Sequence, residues 1–299
     1  MPVKADKPVF DILTVPEKDR ARVEAMIPDP SIAERYVHRT IEGILDFDYL
    51  DAAIEDLENV LLVGPTGSSK STFWRAYSAS RGLPLAIVES NASMDLSTVL
   101  GRIDPQQMEW VDGEFTLVAR YGGAAVIEEI NMVNPRVSAG FHQLLAVTRR
   151  MSLPENGETI IAGRGGLSGE RQPLLLGANM NPSRLYQGTV RMNEALLNRF
   201  AQPHEWPYLR EVEIELLDSP TLIDLAESVR SLAEIRTPVS TNSLQELERH
   251  VWRFGWAPAA QLFANRFDDG EKNSIARALE AHSQRIFDEL QDAWTKRAK

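Results

Sequence analysis

Residues 59–74 read NVLLVGPTGSSKSTFW. Asn59 to Val63 is a short apolar run rich in β-branched residues, the pattern of a buried strand. It leads directly into Gly64-Pro65-Thr66-Gly67-Ser68-Ser69-Lys70-Ser71-Thr72. This string fits the P-loop pattern G-x-x-x-x-G-K-[ST] with one departure, Ser69 in place of the second glycine. Backbone N–H groups of a tight loop at a helix start can cradle phosphate oxygens. A lysine then reaches the β- and γ-phosphates, and the following hydroxyl ligates Mg²⁺. Lys70 and Ser71 fill those two positions, so the segment predicts an ATP and Mg²⁺ site. A Gly/Ser turn joining a strand to a helix is the alternative reading of the same residues.

Working outward, the chain has 299 residues, 43% hydrophobic and 25% charged, as expected of one large domain or a main domain with a smaller one. Apolar runs of 18 residues are absent, which argues against a membrane span. The first twenty residues lack the apolar stretch of a secretory signal. There is no cysteine, which excludes disulfides, thiol nucleophiles and Cys-ligated zinc and fits a cytoplasmic location. The five histidines show no ligand spacing. A net charge of −11 argues against a broad nucleic-acid surface. Residues 41–59 contribute seven carboxylates without a Lys or Arg, read as a solvated helix face.

The coarse pattern gives three regions. Residues 1–30, with several prolines and no sustained period, are expected to form a partly ordered arm. Residues 31–207 form an α/β core and residues 208–299 an α-helical domain. Within the core, residues 31–57 read as helical. Strands are expected at 59–63, 83–90, 123–128 and 174–180, and helices from the P-loop to about residue 81 and over 135–150. Residues 108–119 read as a hairpin turning at Asp112-Gly113, and residues 151–162 as a second turning at Glu155-Asn156-Gly157. Strands alternating with helices imply a three-layer parallel sheet. Ser219-Pro220 reads as a helix start in the C-terminal part.

Residues 122–132 read GGAAVIEEINM, a buried strand ending in two carboxylates. Glu128 is placed to hold Mg²⁺ through water, and Glu129 to orient and deprotonate an attacking water. A strand ending at a polar helix start would look much the same. GANMNP, 177–182, puts Asn181 at a strand's carboxyl end, where it could touch a γ-phosphate or the water. ALLNRF, 195–200, puts Arg199 on a short helix.

Together these segments resemble an AAA+ ATPase of the MoxR and dynein-related branch. GPTGSSKST is similar to Walker A, VIEEIN to Walker B, ANMNP to sensor 1 and LLNRF to the arginine-finger motif. LGRIDP with the first hairpin resembles that branch's helix-2 insert, and the LPENGETI hairpin is also similar. Ser240-Thr241-Asn242 stands where the family often has STR, so Asn242 replaces a sensor-2 arginine. Glu128 replaces the family's more usual Asp.

The resemblance implies a P-loop NTPase sheet with a helical lid and ATP bound between the subunits of a ring, usually a hexamer. Arg199 then reaches a neighbour's γ-phosphate. It also implies ATP-driven remodelling or activation of a partner protein, in some members a von Willebrand factor A-domain protein. Trp110, Phe115 and the stretch Arg164 to Arg171 are candidate partner-contacting residues, with hairpin packing as the competing explanation for the two aromatics. Two other readings stay open: a nucleic-acid motor or restriction-type ATPase subunit, disfavoured by the acidic balance, and a weakly hydrolysing scaffold, favoured by the departures at Ser69, Glu128 and Asn242.

Overall fold

The computed structural model describes residues 7–90, 96–133, 141–182, 194–201, 203–232 and 234–297. Five strands, numbered here along the chain, build one sheet: β1 Asn59–Val63, β2 Leu85–Glu89, β3 Gly123–Glu128, β4 Leu174–Met180 and β5 Pro203–Glu205. Their spatial order is β5-β1-β4-β3-β2, and every neighbouring pair is parallel. The residues of β1, β3 and β4 are buried nearly throughout, as strands covered on both faces must be. This is an α/β P-loop fold. The short β5 was not foreseen, because Pro203-His204-Glu205 carries no apolar pattern and gains its place only by pairing with β1.

The chain divides into two compact units, Met1–Gly64 with Ser69–Glu205, and Pro65–Ser68 with Trp206–Lys299. In the first, the helix Lys70–Arg81 follows the P-loop and buries Phe73, Trp74, Ala76 and Tyr77. In the second, the described residues of 206–299 form helices, among them Pro220–Arg230, Thr241–Phe254, Trp256–Ala264 and Asp269–Arg297. Leu222, Ile223, Leu244, Leu247, Ile275, Leu279, Ile286 and Leu290 form their common core. Ser219 caps the helix that begins at Pro220, its Oγ accepting from Leu222 N at 3.1 Å.

Several local expectations are corrected. The helical reading of 31–57 breaks in the middle. Helices cover only Ser31–Glu34 and Asp46–Glu55, and between them Thr40–Ile41 pairs with Ile44–Leu45. Glu42 and Gly43 both have positive φ, 49° and 81°, which suits the tight turn of a two-residue hairpin and stops the helix despite its apolar spacing. The N-terminal arm holds a helix, Glu17–Ala25. Val15 and Val23 pack against Leu117 and Tyr121, and Tyr121 Oη donates to Asp19 Oδ2 at 2.6 Å.

The Asp112-Gly113 hairpin does not form. Gly101–Ile103 pairs with Trp110–Asp112, and Gly113 caps the helix Glu114–Tyr121. Asp112 is occupied by Arg120 Nε and Trp110 Nε1, at 2.8 and 2.6 Å. Phe115 is 2% exposed in the sheet core, so it is no partner-contacting residue. The second hairpin forms as expected, Arg150–Leu153 with Glu158–Ile161. The expected helix over 135–150 lies partly outside the described residues. Residues 141–144 are helical, and Arg150 already opens a strand.

Glu248 gives the helical unit a pH dependence. It is buried, and its Oε1 accepts from the backbone N–H groups of Asp218 and Ser219 at 2.9 and 3.1 Å. Burial is the main cause that pushes its carboxyl up to about 7, with Asp218 adding to the rise, while the two N–H groups and Arg297 oppose it. A raised carboxyl binds its proton more tightly when folded. Its stabilising effect is therefore complete below the ordinary carboxyl range and lost as pH climbs through about 7. Glu248→Gln should raise stability at pH 8 by on the order of 2–3 kcal/mol and change little at pH 4. Denaturant titrations of both proteins at the two pH values check this; equal gains at both would refute the titration account.

Candidate functional site

β1 delivers the P-loop, β3 delivers Glu128 and Glu129, and β4 lies between them, so the carboxyl ends of three adjacent parallel strands converge. Gly64 N donates to Met180 O at 3.0 Å, tying the loop's start to the end of β4. Lys70 is 7% exposed. Its ammonium donates to Gly64 O at 2.7 Å and to Asn181 Oδ1 at 3.1 Å. Asn181 Nδ2 donates in turn to Glu129 Oε1 at 3.0 Å. One asparagine thus bridges the P-loop lysine and the second carboxylate. Burial pulls the Lys70 ammonium down to about 8, against the pull of Glu128 and Glu129, which favour its charged form. An incoming phosphate would add negative charge beside this desolvated ammonium and favour its charged form further.

Ser69 explains how the loop tolerates its missing glycine. Its φ of 71° and ψ of 22° are left-handed, the conformation for which glycine is the default. Serine holds it at a cost of about 1 kcal/mol. Ser69→Gly should therefore keep nucleotide binding and lose no more than about 1 kcal/mol of stability in either direction, since glycine's larger unfolded-state entropy offsets the relief. A loss of binding beyond threefold would mean that the hydroxyl itself takes part.

Gly67, φ 73°, belongs with the helical unit: a Cβ there would lie 2.5 Å from Ser240 Cβ. In the same unit Trp206 Nε1 donates to Ser68 O at 3.0 Å, and Tyr208 Oη to Thr66 O at 2.6 Å. Ser68 Oγ donates back to Pro65 O at 2.8 Å. Ser71 is half-buried and Thr72 exposed on the first turn of the helix after the loop. Ser240 caps the helix Thr241–Phe254, with Asn242 exposed in its first turn.

Glu129 is exposed, with φ 50° and ψ 48°. A left-handed glutamate is uncommon and such backbone gathers at functional sites. Glu128 differs. Its Oε2 accepts from Asn179 Nδ2 at 2.8 Å, while its Oε1 is buried and lacks a hydrogen-bond partner. A buried carboxylate oxygen without a donor is costly. It is where a divalent cation or a cation-bound water would be satisfied, so Glu128 and Ser71 fit a Mg²⁺ role. Among the described residues no group of three His, Asp or Glu is gathered to hold a metal by itself. That suits a cation that takes few protein ligands along with phosphates and waters.

Arg199 is not brought to this cluster. The helix Glu194–Leu197 ends before it, and Arg199 lies exposed in the following turn. Its carbonyl accepts from Asn59 Nδ2 at 2.5 Å, at the foot of β1. The strand from Asn59 to Gly64 separates it from the P-loop by roughly 16 Å. Trp110 is half-buried, and Arg164 and Arg171 are exposed.

Sequence reasoning missed Asn179 and Trp74. Trp74 Nε1 donates to Asn179 Oδ1 at 2.8 Å, and both residues are almost wholly buried. The available signal was a second asparagine two positions before Asn181, on the same side of an extended chain.

A glycine- and serine-rich loop, a buried lysine and a carboxylate pair thus meet at the ends of three parallel strands, the arrangement of a P-loop fold. Residues 59–200 match the family model of the AAA domain, dynein-related subfamily. The match supports the AAA+ class for this segment and, with it, nucleotide binding. The chain is similar to an uncharacterized protein of Staphylococcus haemolyticus, 28% identical over 184 residues, 59% of this chain and 63% of that one. A Staphylococcus aureus USA300 protein is 32% identical over 160 residues, 51% of this chain and 57% of that one. The chain thus spans less than two thirds of these relatives' lengths. Among solved structures, NtrX from Brucella abortus in complex with ADP is 15% identical over 80% of this chain and 53% of that one, with a TM-score of 0.41. Among the described residues no helix is long and apolar enough to cross a membrane.

Proposed function

We propose that the chain binds Mg²⁺–ATP, hydrolyses it, and uses the cycle to remodel or activate a partner protein, in the manner of MoxR-type rings. The Lys70–Asn181–Glu129 chain of hydrogen bonds carries this reading, because it links the residue facing the phosphates to the residue that would activate water. Bound at the P-loop, ATP would be held by the backbone from Gly64 to Ser69 and by Lys70. Mg²⁺ would be held by Ser71 and Glu128, and it would spread the negative charge of the phosphates. Glu129 takes the proton of the attacking water, and Asn181 keeps its carboxylate oriented.

In this reading ATP lies between subunits of a ring, a hexamer by resemblance, and Arg199 acts on the neighbouring subunit's nucleotide. The net charge of −11 favours a protein client over nucleic acid. A von Willebrand factor A-domain protein is the partner that the resemblance suggests.

Lys70→Ala tests the foundation. Losing a charge-assisted contact to the phosphates should weaken ATP binding about 10–100-fold. Equilibrium binding of a fluorescent ATP analogue measures it. Wild-type affinity in the variant would remove the P-loop assignment and everything built on it.

A further inference from the structure

We propose that Asn179, clamped by Trp74, is a positioning residue that aims the Glu128 carboxylate at the divalent cation of the bound nucleotide. The inference rests on the Mg²⁺–ATP reading above and adds Asn179 and Trp74 to it, residues to which that reading gives no role.

The hydrogen bonds have one direction only. The indole N–H of Trp74 donates and cannot accept, so the amide oxygen of Asn179 must face it. The amide nitrogen then faces Glu128, and the two distances are both 2.8 Å. Trp74 is 0% and Asn179 1% exposed, so water does not compete for either bond. Glu128 is thereby held through Oε2, leaving Oε1 as the buried oxygen without a partner. An arrangement that fixes one oxygen and leaves its twin open suits a carboxylate that has a further ligand to meet. It also suits glutamate in particular. Its extra methylene adds a rotatable bond, whose freedom must be removed if the carboxylate is to stay aimed.

The sheet makes room for this clamp. A Cβ at Gly177 would lie 2.6 Å from the Cη2 of Trp74 and 2.7 Å from its Cζ2. Gly177 and Asn179 share one side of β4, so the ring lies over the first and bonds the second. Gly177, Trp74, Asn179 and Glu128 therefore form one interdependent set spanning the P-loop helix, β4 and β3.

The test uses the full chain and three measurements: the Mg²⁺ concentration that half-saturates the gain in binding of a fluorescent ATP analogue, the analogue's affinity in EDTA, and the thermal midpoint. Trp74→Phe keeps an aromatic side chain on the helix but removes the N–H, together with the outer ring carbons that lie over Gly177. Asn179→Leu keeps volume but removes both hydrogen bonds. Each should raise the half-saturating Mg²⁺ concentration about tenfold, the usual effect of losing a group that orients a metal ligand. Affinity in EDTA should stay within twofold. Glu128→Asp, with an arm too short to reach Asn179, should absorb the effect, so that adding Trp74→Phe to it changes the Mg²⁺ requirement less than twofold.

A Mg²⁺ requirement within twofold of wild type in both single variants would reduce the pair to core packing, whatever their thermal midpoints, and overturn the proposal. If Asn179→Leu fails to fold, Trp74→Phe decides alone. Wild-type binding that is equal in Mg²⁺ and EDTA, yet lost in Lys70→Ala, would overturn the cation role of Glu128 and this proposal with it. A wild-type chain that binds no nucleotide would instead overturn the parent reading.

Discussion

Arg199→Ala will bind ATP nearly as well as wild type and hydrolyse it about a thousandfold more slowly. An arginine that neutralises charge on a transferring phosphoryl group is worth roughly 10³–10⁵ in rate. The position of Arg199 rules out that service to its own site. Its carbonyl is tied to Asn59 at the foot of β1, the strand end opposite the P-loop, and its side chain is exposed. In the proposed ring the expected effect therefore acts across a subunit boundary. Mixing Arg199→Ala with Lys70→Ala should restore part of the turnover, because a mixed interface can pair an intact loop with an intact arginine. Steady-state phosphate release from the two variants, alone and mixed, measures this. Mixed assemblies detected by mass that stay as inactive as their components would end the assignment of Arg199 as a trans-acting group. A wild-type chain that stays monomeric with ATP and keeps its specific rate on dilution would end the ring.

Glu129→Gln will keep ATP binding and lose about 10²–10⁴ in turnover, the range expected for removing a general base. The substitution preserves length, and the new amide oxygen can still accept from Asn181 Nδ2, which reaches Glu129 Oε1 at 3.0 Å in the wild type. What disappears is the ability to take a proton. Single-turnover hydrolysis with pre-bound ATP isolates this step from binding. Glu128→Gln should act differently, raising the Mg²⁺ requirement, because an amide is a poor cation ligand. If Glu128→Gln stops single-turnover chemistry at saturating Mg²⁺ while Glu129→Gln does not, the two carboxylates have their roles exchanged.

Much of this site was legible in the chain. The string from Gly64 to Thr72 and the pair Glu128-Glu129 each follow an apolar run that becomes a buried strand, and their residue types declare their chemistry. Asn181 was readable for the same reason. The Asp112-Gly113 turn was misread because a dipeptide preference is weak beside the burial of Phe115, Leu117, Val118 and Tyr121 on one helix. The break at Glu42-Gly43 was hidden for the opposite reason, since apolar residues on both sides of a tight turn mimic a continuous helical period.

Local sequence by itself determined the strand–loop–helix of the P-loop, the alternation of strands with helices that makes the sheet parallel, and the start of the helix at Ser219-Pro220. These depend on residues within a few positions of one another. Tertiary structure alone decided that β4 inserts between β1 and β3, although 45 residues separate the end of β3 from the start of β4. That pairing sets Asn181 between Lys70 and Glu129, and Asn179 between Trp74 and Glu128. It also leaves Arg199 at the far end of β1. Each of these outcomes depends on which strands exchange hydrogen bonds across long stretches of chain, and the burial of the whole sheet makes that choice.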